Sequence, residues 1–250
     1  MIQKIYSQDF HLDCFLLDHE GKASLVTYFN LMQEVALKHA MILGFGKKDM
    51  EALSMFWVLT RMGLIIKENK KWDDVVTVTT WSRGLDGAFS FREFIFTDKN
   101  GIEFGHASSS WVPLDLNTRR PARILDPELI NGKSLPDKNV ELELLKLSSV
   151  KKEEELLTSS YLHIVKNTDL DINAHANNAR YVEWIYNSTP LDFFSSKKNF
   201  EFQINYLGEA KLHDQIEIKN NIHLTSSETQ FLGIETKQKK NIFAAKFFNH

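Results

Sequence analysis

The chain has 250 residues, 43% of them apolar and 25% charged, which suits one large or two small globular domains with a substantial core. A net charge of −3 (30 Lys and Arg against 33 Asp and Glu) excludes a global attraction to nucleic acid. A single cysteine, Cys14, excludes an intrachain disulfide, and no apolar run approaches the roughly 20 residues of a membrane helix.

An extended segment is expected over residues 4–17. Leu25, Phe29, Met32, Val35, Ala36 and His39 then recur at three- and four-residue steps, which predicts a helix capped by Ser24 and ended by Gly44 and Gly46. Strand-like runs rich in aromatic and β-branched residues follow at 55–66, 75–81, 89–97 and 104–112, with a hairpin signal at Asp98-Lys-Asn-Gly101. Residues 125–160 are charged, contain Pro127, Pro136 and the run Lys151-Lys-Glu-Glu-Glu155, and read as a linker with room for a short helix. The order then repeats: an extended entry at 161–166, a helix at 177–187, and strands at 200–207, 215–219, 230–236 and 241–248. Lys71, Trp72, Asp74, Val76 and Val78 match Lys211, Leu212, Asp214, Ile216 and Ile218 at one constant spacing. A helix followed by an antiparallel sheet, occurring twice, predicts an α+β duplication whose units join edge to edge with a pocket between them. The units are residues 1–124 and 161–250, joined by 125–160.

Chemistry concentrates between Asn167 and Tyr181. Asp171, Asn173 and His175 alternate, so an extended backbone would aim all three one way, at the start of a helix. Asp169, Asn177 and Asn178 flank them. A plain Asx-rich cap accounts for one or two of these residues but not for the whole set. Helix-start amides would add an oxyanion site. The first half carries no such cluster. Glu209 follows a well-patterned strand where the duplicate has Asn69, and local pattern alone makes it a solvated strand-end residue. Nine His include none at metal-site spacing, and there is no HExxH, paired CxxC, GxGxxG, GxxxxGK[ST] or GxSxG, so neither a metal nor an organic cofactor is expected.

These residues resemble the acyl-acyl-carrier-protein thioesterases of plant plastids and many bacteria. The resemblance spans Gln33-Glu-Val-Ala-Leu-Lys-His-Ala40, Phe56-Trp-Val-Leu-Thr-Arg-Met62, Trp72-Asp-Asp-Val-Val76, Ala107-Ser-Ser-Ser-Trp-Val112 with Thr118-Arg-Arg120, and Asp169-Leu-Asp-Ile-Asn-Ala-His-Ala-Asn-Asn178 with Tyr181 and Trp184. It implies a tandem double hot-dog, each unit a long helix wrapped by an antiparallel sheet. It also implies hydrolysis of the thioester between a fatty acyl chain and the phosphopantetheine arm of acyl carrier protein. Asp171, Asn173 and His175 fall on the family's catalytic positions. Glu209 falls on its catalytic glutamate, which reverses the local reading. Plant members often carry a cysteine after that glutamate; here the position is Ala210, so no cysteine mechanism of that type is expected.

The N-terminal unit is then expected to bind the acyl chain, with Met32, Val35, Trp57 and Leu59 as candidate lining. Arg119, Arg120 and Arg123 are candidates for docking an acidic carrier protein. The expectation is a cytoplasmic enzyme that binds no nucleic acid or membrane, with a homodimer as an open possibility. The alternatives are an acyl-CoA thioesterase and a non-catalytic acyl-binding protein of the same fold.

Overall fold

The computed structural model describes residues 2–147, 157–222 and 227–249. Strand β1 (Ile5–His11) and a 3-10 turn (Cys14–Leu16) lead to helix α1 (Leu25–Leu43). The Ser24 hydroxyl accepts from the Thr27 amide at 3.1 Å, satisfying a helix-start donor. At the other end Gly44 adopts φ 71°, the left-handed cap that glycine takes without steric cost. Helix α2 (Lys47–Ala52) comes next. At six residues it is too short to show a period in the sequence.

Strands β2 (Met55–Ile66), β3 (Val75–Asp86), β4 (Phe89–Asp98) and β5 (Glu103–Asp115) complete the first unit. A short α3 (Glu128–Asn131) follows. The second unit contains β6 (Thr158–Ile164), a 3-10 turn (Asn167–Asp169), α4 (Asn178–Asn187), β7 (Phe200–Tyr206), β8 (Gln215–Asn220), β9 (Glu228–Glu235) and β10 (Lys240–Asn249).

The strands form one antiparallel sheet in the order β1-β3-β4-β5-β2-β7-β10-β9-β8-β6. Read outward from the β2–β7 seam, the two sides have the same connectivity, as the expected duplication requires. The seam runs from Arg61 opposite Asn205 to Ile66 opposite Phe200. Its period-2 pattern turns Met62, Leu64, Phe202 and Ile204 into one buried core. Helices α1 and α4 pack against each other on that face, and Phe29 of α1 meets Phe202 edge to face at 5.7 Å.

Residues 128–147 of the expected linker lie as a strap against the sheet. The Trp81 indole donates to the Lys138 carbonyl at 2.7 Å, and the Leu85 amide donates to Asn131 Oδ1 at 2.8 Å. Gly84, at φ 95°, leaves room for this contact, because a Cβ there would stand 2.7 Å from Asn131 Oδ1. Two buried amides on β7 clamp the strap backbone from both sides. Gln203 accepts from the Leu145 amide and donates to the Glu143 carbonyl. Asn205 accepts from the Leu147 amide and donates to the Leu145 carbonyl. The charged run Lys151 to Glu155 lies outside the described residues. Gln203→Leu or Asn205→Leu strands backbone groups of the strap, so urea unfolding should show a loss of about 1–3 kcal/mol for each.

Candidate active site

The polar cluster is a closed turn, not the extended run expected from its alternation. The bridge Leu170–Ala176 closes its ends, and the Asp171 amide donates to the His175 carbonyl at 2.8 Å. Asp171 Oδ1 accepts from the amides of Asn173 (2.7 Å) and His175 (3.3 Å), and Oδ2 accepts from Asn173 Nδ2 (3.2 Å). One carboxylate thus sets the positions of the other two groups. The turn needs a left-handed residue, and Ala174 supplies it at φ 59°.

Asp169 lies beneath this turn, buried. His163 Nε2 stands 2.8 Å from its Oδ2, the Lys166 amide donates to the same oxygen at 2.7 Å, and the Trp184 indole donates to Oδ1 at 3.3 Å. Asn177 caps α4, accepting from the Ala179 amide at 2.9 Å. The amides of Ala176, Asn177, Ala179 and Arg180 are all taken. The Asn178 amide, at the start of α4 and on the cavity wall, has no protein acceptor among the described residues.

Glu209 arrives just past β7. The buried Tyr181 hydroxyl braces it from both sides, donating to the Gly208 carbonyl at 3.3 Å and accepting from the Ala210 amide at 2.9 Å. Burial pushes the Tyr181 hydroxyl well above its ordinary pKa, so it stays protonated and able to donate. Tyr181 belonged to the recognised motif but carried no role there; its hydroxyl contact is visible only in three dimensions. The Glu209 carboxylate faces His175, with Oε2 3.6 Å from Nε2. Two cations enter from the N-terminal unit. Arg119 Nη2 lies 2.6 and 2.7 Å from the two Glu209 oxygens, and Lys47 Nζ donates to Asn173 Oδ1 at 2.9 Å.

All four groups open onto a cavity of about 930 Å³. Asn177, Asn178, Lys47 and Arg119 also line it, whereas Asp169 does not. Beyond the polar end the cavity runs under the N-terminal sheet, where Leu59, Trp111 and Ser90 stand abreast on β2, β5 and β4. Trp57 lines it as well; Met32 and Val35 are fully buried in the core and do not. Arg120 and Arg123 are exposed and away from the cavity.

Arg92 lines the same space and is buried, with its Nη1 2.9 Å from His39 Nδ1. His39 Nε2 stands 2.9 Å from the Gln3 carbonyl and must donate to it, so Nδ1 is the acceptor for Arg92 and the ring is neutral. Burial and the neighbouring guanidinium together pull the His39 pKa down to about 4.

The first unit contains the same turn. Asp18 accepts from the amides of Glu20 and Lys22, the bridge Leu17–Ala23 closes it, and Gly21 takes the left-handed position. Tyr28 occupies the place of Tyr181, bonding to Asn69 and the Lys70 amide. The scaffold is therefore present twice. In the first copy Glu20, Lys22 and Asn69 stand where the second has Asn173, His175 and Glu209, and Lys22 pairs with Glu20.

Burial opposes ionisation of Asp169, but the Lys166 amide, His163 and Trp184 outweigh it and hold the carboxyl below its usual pKa. A depressed carboxylate stabilises the fold above its unfolded pKa, and that stability is lost as pH falls through the folded value. Asp169→Asn should cost about 1.5–3 kcal/mol at neutral pH. In denaturant titrations across pH, its gap to wild type should close below about pH 4.

Residues 3–131 match the Acyl-ACP thioesterase N-terminal domain and residues 151–247 match the Acyl-ACP thioesterase C-terminal domain. The chain is 28% identical, over 90% of its length, to oleoyl-acyl carrier protein thioesterase 2 of Arabidopsis thaliana, a chloroplastic protein. It is 30% identical over 82% of its length to the palmitoyl-acyl carrier protein thioesterase of the same plant. It spans 63% and 52% of those two relatives. In fold it is similar to an acyl-ACP thioesterase from Bacteroides thetaiotaomicron, with a TM-score of 0.85 at 23% identity, covering 99% of this chain and 98% of the other. The 12:0-ACP thioesterase from Umbellularia californica superposes with a TM-score of 0.81 at 22% identity, covering 100% and 98%. Both halves match their respective domains in order, and the chain belongs to the acyl-ACP thioesterase family.

Proposed function

We propose that this protein hydrolyses the thioester joining a fatty acyl chain to the phosphopantetheine arm of acyl carrier protein, releasing free fatty acid for fatty acid biosynthesis. The observation that carries this reading is the convergence of Asp171, Asn173, His175 and Glu209 on the polar end of one long cavity in a chain of this family. Its relatives' names supply the substrate class. The single thiol, Cys14, is exposed, consistent with a reducing compartment such as the cytoplasm.

Glu209 and His175 face each other across 3.6 Å and act on one water. Glu209 takes its proton as the water oxygen adds to the thioester carbonyl. The Asn178 amide stabilises the resulting oxyanion. Collapse breaks the C–S bond, and the departing pantetheine sulfur recovers the proton. Asn173 positions water or substrate. Both Asp171 oxygens already accept hydrogen bonds, which favours an orienting role over direct nucleophilic attack. The acyl chain lies in the part of the cavity lined by Trp57, Leu59, Trp111 and Ser90.

Glu209→Gln should lower kcat on acyl-carrier-protein by about a hundredfold or more in a folded protein. In a single turnover in heavy-oxygen water the label should enter the fatty acid and not the Asp171 carboxylate; label in Asp171 would make it the nucleophile. Trp57→Ala should move the preferred acyl length upward and Leu59→Trp should move it downward. A hydrolysis panel across chain lengths, run in parallel on matched acyl-CoA esters, measures both shifts and the preferred carrier.

A further inference from the structure

We propose that Arg119 is a positioning residue for Glu209, so that the N-terminal unit takes part in hydrolysis and does not only hold the acyl chain. This rests on the catalytic reading of Glu209 given above. Arg119 comes from the turn after β5, in the opposite half of the chain from the glutamate, and a single nitrogen reaches both carboxylate oxygens at 2.6 and 2.7 Å. A nitrogen held against both oxygens fixes where the carboxylate sits and the direction in which it points. Oε2, itself held by Arg119, stands 3.6 Å from His175 Nε2.

The turn is built to deliver this side chain. Its ends are tied by the bridge Leu114–Pro121 and by the Asp115 amide donating to the Arg120 carbonyl. Asp115 accepts from the amides of Asn117 and Thr118. Arg119 itself sits at φ 53°, a left-handed conformation that a non-glycine residue adopts only under strain. Its guanidinium lies over the Phe56 ring, 5.0 Å from the ring centre, a second contact that holds it in place. A residue whose only task was to meet an acidic partner in solvent would need neither the strained backbone nor the internal carboxylate. Arg120, next in the chain, is exposed with no acidic partner among the described residues and serves as the internal control.

The test measures kcat and KM for Arg119→Ala, Arg119→Lys and Arg120→Ala, with the best-cleaved acyl chain carried either on acyl carrier protein or on free pantetheine. The positioning role predicts that Arg119→Ala lowers kcat about ten- to a hundredfold with both carriers, while KM for the carrier protein changes little. Arg119→Lys should recover part of the loss, and Arg120→Ala should leave kcat near wild type. In the Glu209→Gln background, Arg119→Ala should add almost nothing, because both changes act on one group. A raised KM confined to the carrier-protein substrate, with kcat kept, would make Arg119 a docking residue and overturn the proposal. Unchanged kcat with both carriers would overturn it equally. If Glu209→Gln keeps near-normal turnover, the reading of Glu209 fails instead, and the two failures are told apart by that one variant. Loss of fold in Arg119→Ala would show as a lowered melting temperature, in which case Arg119→Lys, which keeps the charge but not the guanidinium reach, carries the kinetic comparison.

Discussion

The antiparallel seam between β2 and β7 is the constraint on which the rest of the molecule depends. Each unit alone would expose an edge strand and the apolar face of one helix. Pairing Arg61–Ile66 with Phe200–Asn205 removes both edges, makes one sheet, and brings α1 and α4 together on one of its faces. The cavity is a consequence of that join. Its polar end is the turn before α4, and its body lies under the other unit's strands, so neither half could make the site alone. The strap clamped by Gln203 and Asn205 crosses the opposite face of the same seam, packing Leu142 and Leu144 against Gly63.

Duplication supplied two equivalent turns, and the two have diverged in complementary ways. Asp18 and Asp171 organise them through the same pair of backbone amides, and Tyr28 and Tyr181 each accept from the equivalent amide, of Lys70 or Ala210, while Tyr28 donates to the Asn69 side chain and Tyr181 to the Gly208 carbonyl. Only the second pairs its aspartate with a histidine and a glutamate. The volumes diverge in the opposite sense. Under the N-terminal sheet small residues such as Ala36, Ala40, Ser82 and Ser90 leave space. Beneath the C-terminal sheet Phe193, Phe194, Phe231 and Phe247 pack edge to face and tilted against one another and fill it. Four of the eighteen phenylalanines thus close one half of a symmetric plan.

The strands were legible because alternation is a local property, and β2 begins and ends where its pattern does. The duplication was legible because side-chain chemistry around Asp74 and Asp214 is shared. What escaped the sequence depended on contacts between distant residues. The alternation that groups Asp171, Asn173 and His175 in the sequence is not what the closed turn obeys; hydrogen bonds to Asp171 bring them together. Glu209 has no local signature because its partners, Tyr181 and Arg119, come from α4 and from the other unit. Arg119 looked like one of three surface arginines, and only the left-handed turn after β5 separates it from Arg120 and Arg123. Met32 and Val35 share the helical period of true lining residues such as Ala36, yet their face of α1 points into the core, a distinction that period alone does not make.

The proposed reaction divides its labour across the seam, with bond cleavage at one unit's turn and the acyl chain under the other unit's sheet. A crystal structure with an acyl chain joined to pantetheine by a non-hydrolysable thioether ketone tests it most directly. The carbonyl is expected beside Glu209, His175 and the Asn178 amide, with the chain running past Trp57 and Leu59 towards Ser90. An acyl chain lodged instead among Phe193, Phe194 and Phe247, or a carbonyl remote from Glu209, would contradict it.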